Sequence, residues 1–498
     1  MQHKRRAWWF LAAVLCAPLL SMALLPLTDT SEARYAEMAR MMAESGDWIT
    51  PWFAPGVPFW GKPPLAFWSQ ALSARLLGMN EFALRLPSWL VTLATVGLIY
   101  SYAQAWLGAS TARLAAIVYS SCVLVFMMSG AVITDPFLAL GTTLCMTGWA
   151  MAARRPSWFW RYSFFLGLAI GLLAKGPLIV VLACGAIVPW LIFCKSGRPS
   201  VKTLPWASGF LLTMAISLPW YVAAELKTPG FLHYFFVGEH FLRFVDAGWK
   251  GDLYGTAHST AYGTIWYYWL QASFPWGLVA IGLLLCNFAS DHGRSELGSA
   301  LRDPNTSYLL AWCLFTLVFF TASGNILWTY VLPTLGGFSI LLARALQRFW
   351  NQKGTTTGKM LWCAGIAPCA AVVLAVLAVF RPDLVKSERD LVNYAKQNLP
   401  QDEHLVFLEH RPFSARFYSR GTAALVPRDR LMDTMDDKDT VYIAVPRELI
   451  DDIVAQINRP VKKLFVDKRF VLIAVPPEPA VGMAPKTYTG PNSGQSVR

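Results

Sequence analysis

The chain has 498 residues, of which 55% are hydrophobic and only 15% charged, with a mean hydropathy of +0.41. That composition excludes a soluble globular enzyme and marks an integral membrane protein. The net charge of +13 would suit nucleic acid, but the basic residues are spread through short loops, so membrane lipid is the expected partner and nucleic acid is not.

After Lys4, Arg5 and Arg6, the apolar run Ala7 to Leu27 is long enough to cross hydrocarbon and reads as an uncleaved first helix rather than a removed leader. Further apolar runs lie near residues 84–106, 112–132, 136–153, 157–174, 177–194, 205–224, 264–287, 307–322, 329–346 and 360–380, giving about eleven spans. With the N-terminus inside, Arg113, Arg154, Arg155, Lys195, Arg198, Lys202, Arg294, Arg302, Arg348, Lys353 and Lys359 fall in cytoplasmic loops, as the positive-inside rule requires. The outer side then holds a first loop over 28–82, a second over 225–262, and the region after residue 380.

A polytopic α-helical membrane domain is therefore expected over 1–380. The runs HLVFL, VYIAV and FVLIAV, separated by the amphipathic stretches SERDLVNYAKQNL and RELIDDIVAQI, predict a small water-exposed α/β domain over 381–476. Rich in Pro, Gly, Ser and Thr, the tail over 477–498 is expected to be disordered. All nine cysteines sit in apolar segments without a CxxC pair, and they read as small buried hydrophobes.

In the first loop, Tyr35, Met38 and Met42 fall at helical spacing with Glu37, Arg40 and Glu44 off that stripe, which predicts an amphipathic helix in the membrane interface. Asp29 and Glu32 have the offset of a capping box, in which Asp29 caps the helix and Glu32 reaches back; the same carboxylates are also candidates for chemistry. Lys62, between Gly61 and two prolines, is either a snorkelling lysine or a cation held for a phosphate at headgroup depth. Asp135, ahead of Pro136, is a helix cap or a site residue, and Lys175, followed by Gly176 and Pro177, a snorkelling helix end or a site residue. The second loop brings Glu239, His240 and Arg243, and Tyr330 stands at the outer start of a span. His233, His240 and His258 share that loop with Glu239, but their spacing fits no compact zinc pattern, so a divalent metal is not expected to be essential.

The run DTSEARYAEMARMMAESGDWITPWFAPGVPFWGKPPLAFW, followed by GMNEFALRLPS, resembles the first periplasmic loop of GT-C glycosyltransferases of the aminoarabinose transferase (ArnT-like) and protein mannosyltransferase type. VITDPFLAL, LLAKGPL, HYFFVGEHFLRF and NILWTYVLP are similar to further landmarks of that superfamily. The resemblance implies a GT-C fold of about 11 to 13 transmembrane helices in a bacterial inner membrane, with the active site facing the periplasm. It implies transfer of a sugar, such as 4-amino-4-deoxy-L-arabinose, from a polyprenyl (undecaprenyl) phosphate to an envelope acceptor such as lipid A, another glycan or a protein. It also implies an acidic first-loop residue as general base. Family members carry Asp-Glu directly before x-Arg-Tyr-Ala-Glu, whereas here Ser31 precedes Glu32 and the nearest aspartate is Asp29, so the base is left open between Asp29 and Glu32.

Such a transfer needs a carboxylate to take the acceptor's proton and cations to hold the departing phosphate. Asp29 or Glu32 would be the base, and Lys62, Arg34 and Arg243 the clamp; Lys175 is a further cation and Tyr330 a hydroxyl donor to phosphate. Glu239 and His240 would orient neighbours or contact the sugar. Direct attack predicts inversion, while retention would require a second carboxylate, for which Asp135 is the candidate. The competing reading is a carrier of lipid-linked sugar, which would show paired halves and charges at the bilayer midplane rather than at one surface.

Overall fold

The computed structural model describes residues 2–194, 198–246, 248–255, 258–353, 361–400, 405–435 and 439–477, and the chain divides into two compact units, Met1–Lys386 and Ser387–Arg498. All of the tail expected to be disordered except Pro477 lies outside the described residues, as do Lys195 and Lys359.

In the first unit, seven described helices are long and apolar enough to cross a membrane: Ala7–Leu24, Glu81–Leu107, Asp135–Arg154, Trp206–Lys227, Pro304–Thr321, Trp328–Asn351 and Trp362–Phe380. The number is nine if two bent pairs are each one span, Ala109–Ser121 with Val123–Ser129 (70°) and Thr264–Ala272 with Trp276–Phe288 (106°). Both bends have a local cause. Cys122 adopts an extended conformation, φ −60° and ψ 132°, which interrupts the first pair's ladder, and Pro275, without an N–H, stands at the start of the second pair's outgoing helix. Two other runs read as spans are weaker in the structure: Trp158–Lys175 carries Arg161 and Lys175, and Leu178–Phe193 has only 16 residues.

One helical hairpin matters most for the site. The helix Asp135–Arg154 starts with Pro in its first turn, and its return arm Trp158–Lys175 is capped by Ser157, whose hydroxyl accepts from the Trp160 N–H at 3.3 Å. In a lipid-like medium helices associate by close packing of small residues. A Cβ on Gly167 would lie 2.5 Å from the Gly141 carbonyl oxygen, and one on Gly148 would lie 2.8 Å from Ser163 Cβ, so glycine is what lets the arms touch. Antiparallel arms of 20 and 18 residues bring the first residue of one, Asp135, beside the last residue of the other, Lys175.

The first-loop helix, Ser31–Ser45, corrects the expected two-faced interfacial helix. Glu37 and Arg40 are only 1% and 5% exposed, because Arg40 makes two bonds to Glu37, at 2.7 and 2.9 Å, and the off-stripe side can be buried with its charges paired. The capping box is also displaced: Thr30 is the N-cap, without a side-chain bond, and Glu32 Oε2 accepts from the Thr28 N–H at 2.9 Å.

The second unit holds a five-stranded mixed sheet in the order Ala424–Val426, Leu405–Leu408, Val441–Pro446, Phe470–Val475, Lys462–Val466. Leu405–Leu408 pairs in parallel with both its neighbours, and the other pairings are antiparallel. Alternation along the strands sends Phe407, Ala444 and Leu472 to one core with Leu391 and Val392 of the helix Arg389–Asn398. Leu408, Ile443 and Ile473 pack instead with Ile450, Ile453 and Ile457 of the helix Ile450–Ile457, so both faces of the sheet are covered by helix, the first also by Ala415 of Phe413–Tyr418.

Candidate active site

Two cavities in the membrane unit share five lining residues: Lys62, Lys175, Glu239, Arg243 and Tyr330. The smaller, of about 150 Å³, is otherwise walled largely by Pro177, Leu178, Val181, Phe244, Phe319 and Phe320. The larger, of about 370 Å³, is lined by Arg34, Asp135, Asp252, Tyr254 and His258 among others. Two chambers, the larger of them carrying more charged groups, thus meet where three cations are shared.

Lys62 reaches this junction from the turn after the short hairpin Trp52–Ala54 and Val57–Pro58, where Gly61 and two prolines stiffen the backbone. Its Nζ donates to the Gly61 carbonyl at 2.6 Å and pairs with Glu239. Glu239 and His240 lie in a π-helical segment, Tyr234–Leu242, whose wider turn is a common device where backbone must bend around a site. Arg243, one turn on, donates through Nη1 to both Glu239 oxygens, at 3.0 and 2.9 Å, and stands 3.4 Å from Asp252 Oδ2. Burial pushes the Glu239 carboxyl up, yet Lys62 and Arg243 outweigh it and hold its pKa below the ordinary value. Arg243 loses by burial and gains more from Glu239, so its guanidinium is charged throughout the accessible pH range.

The hairpin supplies the second pair. Lys175 Nζ donates to Asp135 Oδ1 at 2.7 Å, with both side chains 7% exposed, and stands 4.9 Å from the Tyr330 ring centroid. The residue at the N-cap is Thr134, so Asp135 pairs rather than caps, and Lys175 does not reach water as a snorkelling lysine would. Tyr330 comes from the 3-10 turn Trp328–Thr334. His240 places its Nδ1 2.7 Å from the Phe235 carbonyl and its Nε2 2.9 Å from the Lys175 carbonyl, tying the second loop to the hairpin's end. Burial lowers its pKa and the two carbonyls raise it; burial prevails.

Arg34 donates to the Tyr254 carbonyl at 3.0 Å, and the Tyr254 hydroxyl in turn bonds the Pro58 carbonyl at 2.8 Å and accepts from the Trp60 N–H at 2.9 Å. Burial pushes that phenol up to about 12. The first-loop acids are placed differently. Glu32 is gripped by Arg85 at 2.8 and 2.9 Å and accepts from the Thr28 and Val132 N–H groups, and Arg85 also donates to the carbonyls of Met22, Leu25 and Pro26. Neither Glu32 nor Asp29 is among the residues lining the two cavities, whereas Ser31 lines the larger. The Asp29 N–H donates to the Lys386 carbonyl at 2.8 Å.

Asp252, Tyr254 and Arg85 had no role in the sequence reading. Asp252 and Tyr254 lie in the glycine-rich stretch GWKGDLYG, which has no periodicity to place them, but Arg85, a cation inside an apolar run, is a signal in itself. Among the described residues no three His, Cys, Asp or Glu side chains are grouped so as to hold a metal ion.

Comparison with known proteins gives a consistent pattern. The family model for dolichyl-phosphate-mannose-protein mannosyltransferase matches residues 18–235. The chain is 30% identical over 412 residues to the undecaprenyl phosphate-alpha-4-amino-4-deoxy-L-arabinose arabinosyl transferase of Erwinia tasmaniensis, covering 80% of this chain and 69% of that protein. It is 31% identical over 387 residues to the protein of the same name from Shewanella sediminis, covering 74% and 65% respectively. The chain thus spans about two thirds of these relatives' length. Among solved structures, ArnT from Cupriavidus metallidurans bound to undecaprenyl phosphate superimposes with a TM-score of 0.74 at 17% identity, over 94% of this chain and 97% of that one, and its apo form with 0.73.

Proposed function

The chain belongs to the GT-C glycosyltransferases of the undecaprenyl phosphate-alpha-4-amino-4-deoxy-L-arabinose arabinosyl transferase type, and from that premise we propose that it transfers 4-amino-4-deoxy-L-arabinose or a similar sugar from undecaprenyl phosphate to lipid A or another envelope acceptor. The observation that carries this reading is the meeting of a mainly apolar cavity with one that also holds Arg34, Asp135, Asp252 and His258, at Lys62, Lys175 and Arg243. A polyprenyl phosphate has the matching division: the isoprenoid suits the smaller chamber, the sugar and acceptor suit the larger one, and the phosphate falls at the cations between them.

In this scheme the acceptor oxygen bonds to the anomeric carbon, its proton passes to a carboxylate, and the bond from that carbon to the phosphate oxygen breaks with its electron pair going to phosphate. One displacement inverts the configuration. Lys62, Lys175 and Arg243 take up the growing charge, helped by the Tyr330 hydroxyl. Glu239, between Lys62 and Arg243, keeps those two cations spaced until phosphate enters. Arg34 and His240 position the loop and the hairpin, and Asp135 fixes Lys175. Of the two first-loop acids, Glu32 is assigned to anchoring the loop, through Arg85 and the Thr28 and Val132 N–H groups, and Asp29 is the proposed base. Asp252 is the rival base, since it lines the larger chamber.

We also read Trp158–Lys175 and Leu178–Phe193 as membrane-embedded, which brings the spans to about eleven, and place the two cavities on the periplasmic side of a bacterial inner membrane. The unit from Ser387 onward would help position the acceptor. The test is a purified full chain given undecaprenyl-phosphate aminoarabinose and lipid A: release of undecaprenyl phosphate with formation of the glycosylated acceptor is expected. Movement of the donor across proteoliposomes without cleavage would overturn the reading in favour of a carrier.

A further inference from the structure

A third chamber, of about 350 Å³, opens at the other end of the helix Asp135–Arg154, some 30 Å from Asp135 by the rise of a 20-residue helix, and therefore toward the opposite membrane surface. Its polar lining holds the indole N–H groups of Trp106, Trp149 and Trp190 and the Arg154 guanidinium, with the Asn305 amide and the Ser200 and Tyr308 hydroxyls beside them. Trp149 is 3% exposed, yet among the described residues its indole N–H has no hydrogen-bond partner, and the same holds for the indole N–H of Trp106. Two other aromatics of the lining are accounted for structurally: Trp190 donates to Ser307 Oγ at 3.0 Å, and the Tyr308 hydroxyl to the Met146 carbonyl at 2.6 Å. Arg154 lies with its guanidinium 4.2 Å from the Trp106 ring centroid and is fixed there by bonds from Nε and Nη2 to the Ala105 carbonyl, at 3.0 and 2.8 Å. Asn305 accepts from the Tyr102 hydroxyl through Oδ1, which leaves its amide nitrogen as the remaining polar end.

Indole N–H and guanidinium groups can only donate, and no carboxylate is among the described residues that line the chamber. Buried donors without acceptors call for a ligand rich in oxygen lone pairs, and the fixed guanidinium selects for negative charge. We propose that this chamber binds the phosphate of an anionic phospholipid from the leaflet opposite the transfer site. A lipid suits the place: the helix that carries Trp190 ends in Phe193, which is 88% exposed and offers apolar surface for an acyl chain. The proposal is independent of which sugar or acceptor the other end handles.

The experiment is native mass spectrometry of the detergent-purified full chain titrated with phosphatidylglycerol, phosphatidylcholine or inorganic phosphate, repeated for Trp149→Phe and Arg154→Gln. The first variant keeps the ring and removes only the N–H; the second alters a surface residue at a helix end. A phosphatidylglycerol adduct at least about tenfold tighter than the phosphatidylcholine adduct is expected, weakened about fivefold or more in each variant, while undecaprenyl phosphate release is retained. Equal binding of the two lipids, or undiminished phosphatidylglycerol binding in both variants, would overturn the proposal. Inorganic phosphate binding as tightly as the lipid would overturn the lipid as its source. Should Trp149→Phe fail to fold, Arg154→Gln and the lipid comparison on the unaltered chain decide the matter by the same criteria.

Discussion

Asp135 and Lys175 stand 40 positions apart in the chain and form a buried ion pair of 2.7 Å, because they are the opposite ends of two antiparallel helices. Neither charge is a tolerable resident alone. Removing one partner of a buried pair leaves an uncompensated charge, at a cost of about 3–5 kcal/mol. Lys175→Met and Asp135→Leu are each expected to lower the thermal midpoint sharply, and the double variant to recover most of it while staying inactive. Full turnover in the double variant would remove both residues from the site.

Lys62 and Arg243 hold one carboxylate, Glu239, between them. Lys62→Ala and Arg243→Ala should each reduce kcat/KM for the polyprenyl-phosphate donor by about 10²–10³, the range for loss of one charge-stabilising donor. Because both act through the same site, the double variant should fall short of the product of the single losses. Steady-state release of polyprenyl phosphate measures all three; strictly multiplicative losses would contradict a shared phosphate.

The first-loop acids should separate by what they lose. Asp29→Asn is expected to reduce kcat by about 10²–10⁴ with little change in KM, as for a general base. Glu32→Gln should act mainly on stability, since it weakens the grip of Arg85, whose other bonds tie down the chain at Met22, Leu25 and Pro26. If Asp29→Asn retains its kcat while Asp252→Asn loses it, the base is Asp252.

Acid should destabilise the site in two stages. His240 has its pKa lowered from 6.5, so below 6.5 the unfolded chain binds a proton that the folded one refuses, and stability falls from there down to the depressed value. Glu239 has its pKa lowered from 4.5; the stability it contributes is complete above 4.5 and is lost as pH falls through its folded value. Melting curves between pH 7.5 and pH 4, taken as an experimental range of about 3.5 units, should show the first stage vanish in His240→Gln and the second weaken in Glu239→Gln. An unchanged profile in both would place the titration elsewhere.

Much of this site can be read from residues met singly. Lys62 in GKPP, Lys175 before Gly-Pro, Asp135 before Pro and Tyr330 at the start of a helix each stand out as polar groups at the ends of apolar runs, and all four line the cavities. What a single sequence does not carry is pairing: that Glu239 belongs to Lys62, 177 positions away, follows only once the loops are packed. The burial of Glu37 and Arg40 escapes periodicity for a related reason, since a charge neutralised within its own helix leaves no apolar stripe to betray it. In the sheet, the central strands have long apolar runs, whereas the edge strand Ala424–Val426 is only three residues long and Lys462–Val466 opens with two exposed lysines, as edges tend to.

The glycine-packed hairpin has one further consequence, and it concerns the surrounding lipid. Its arms cannot slide, because Gly141 and Gly167 interlock, and one extra residue in either would turn its tip by about 100° and carry Asp135 or Lys175 off its partner. If both arms are embedded as proposed, the hairpin is a fixed gauge whose longer arm rises about 30 Å, close to the hydrocarbon thickness of an ordinary bilayer. In a bilayer thinner or thicker than this, the mismatch falls on tilt of the whole hairpin or on deformation of the surrounding lipid, because the arms are locked to each other.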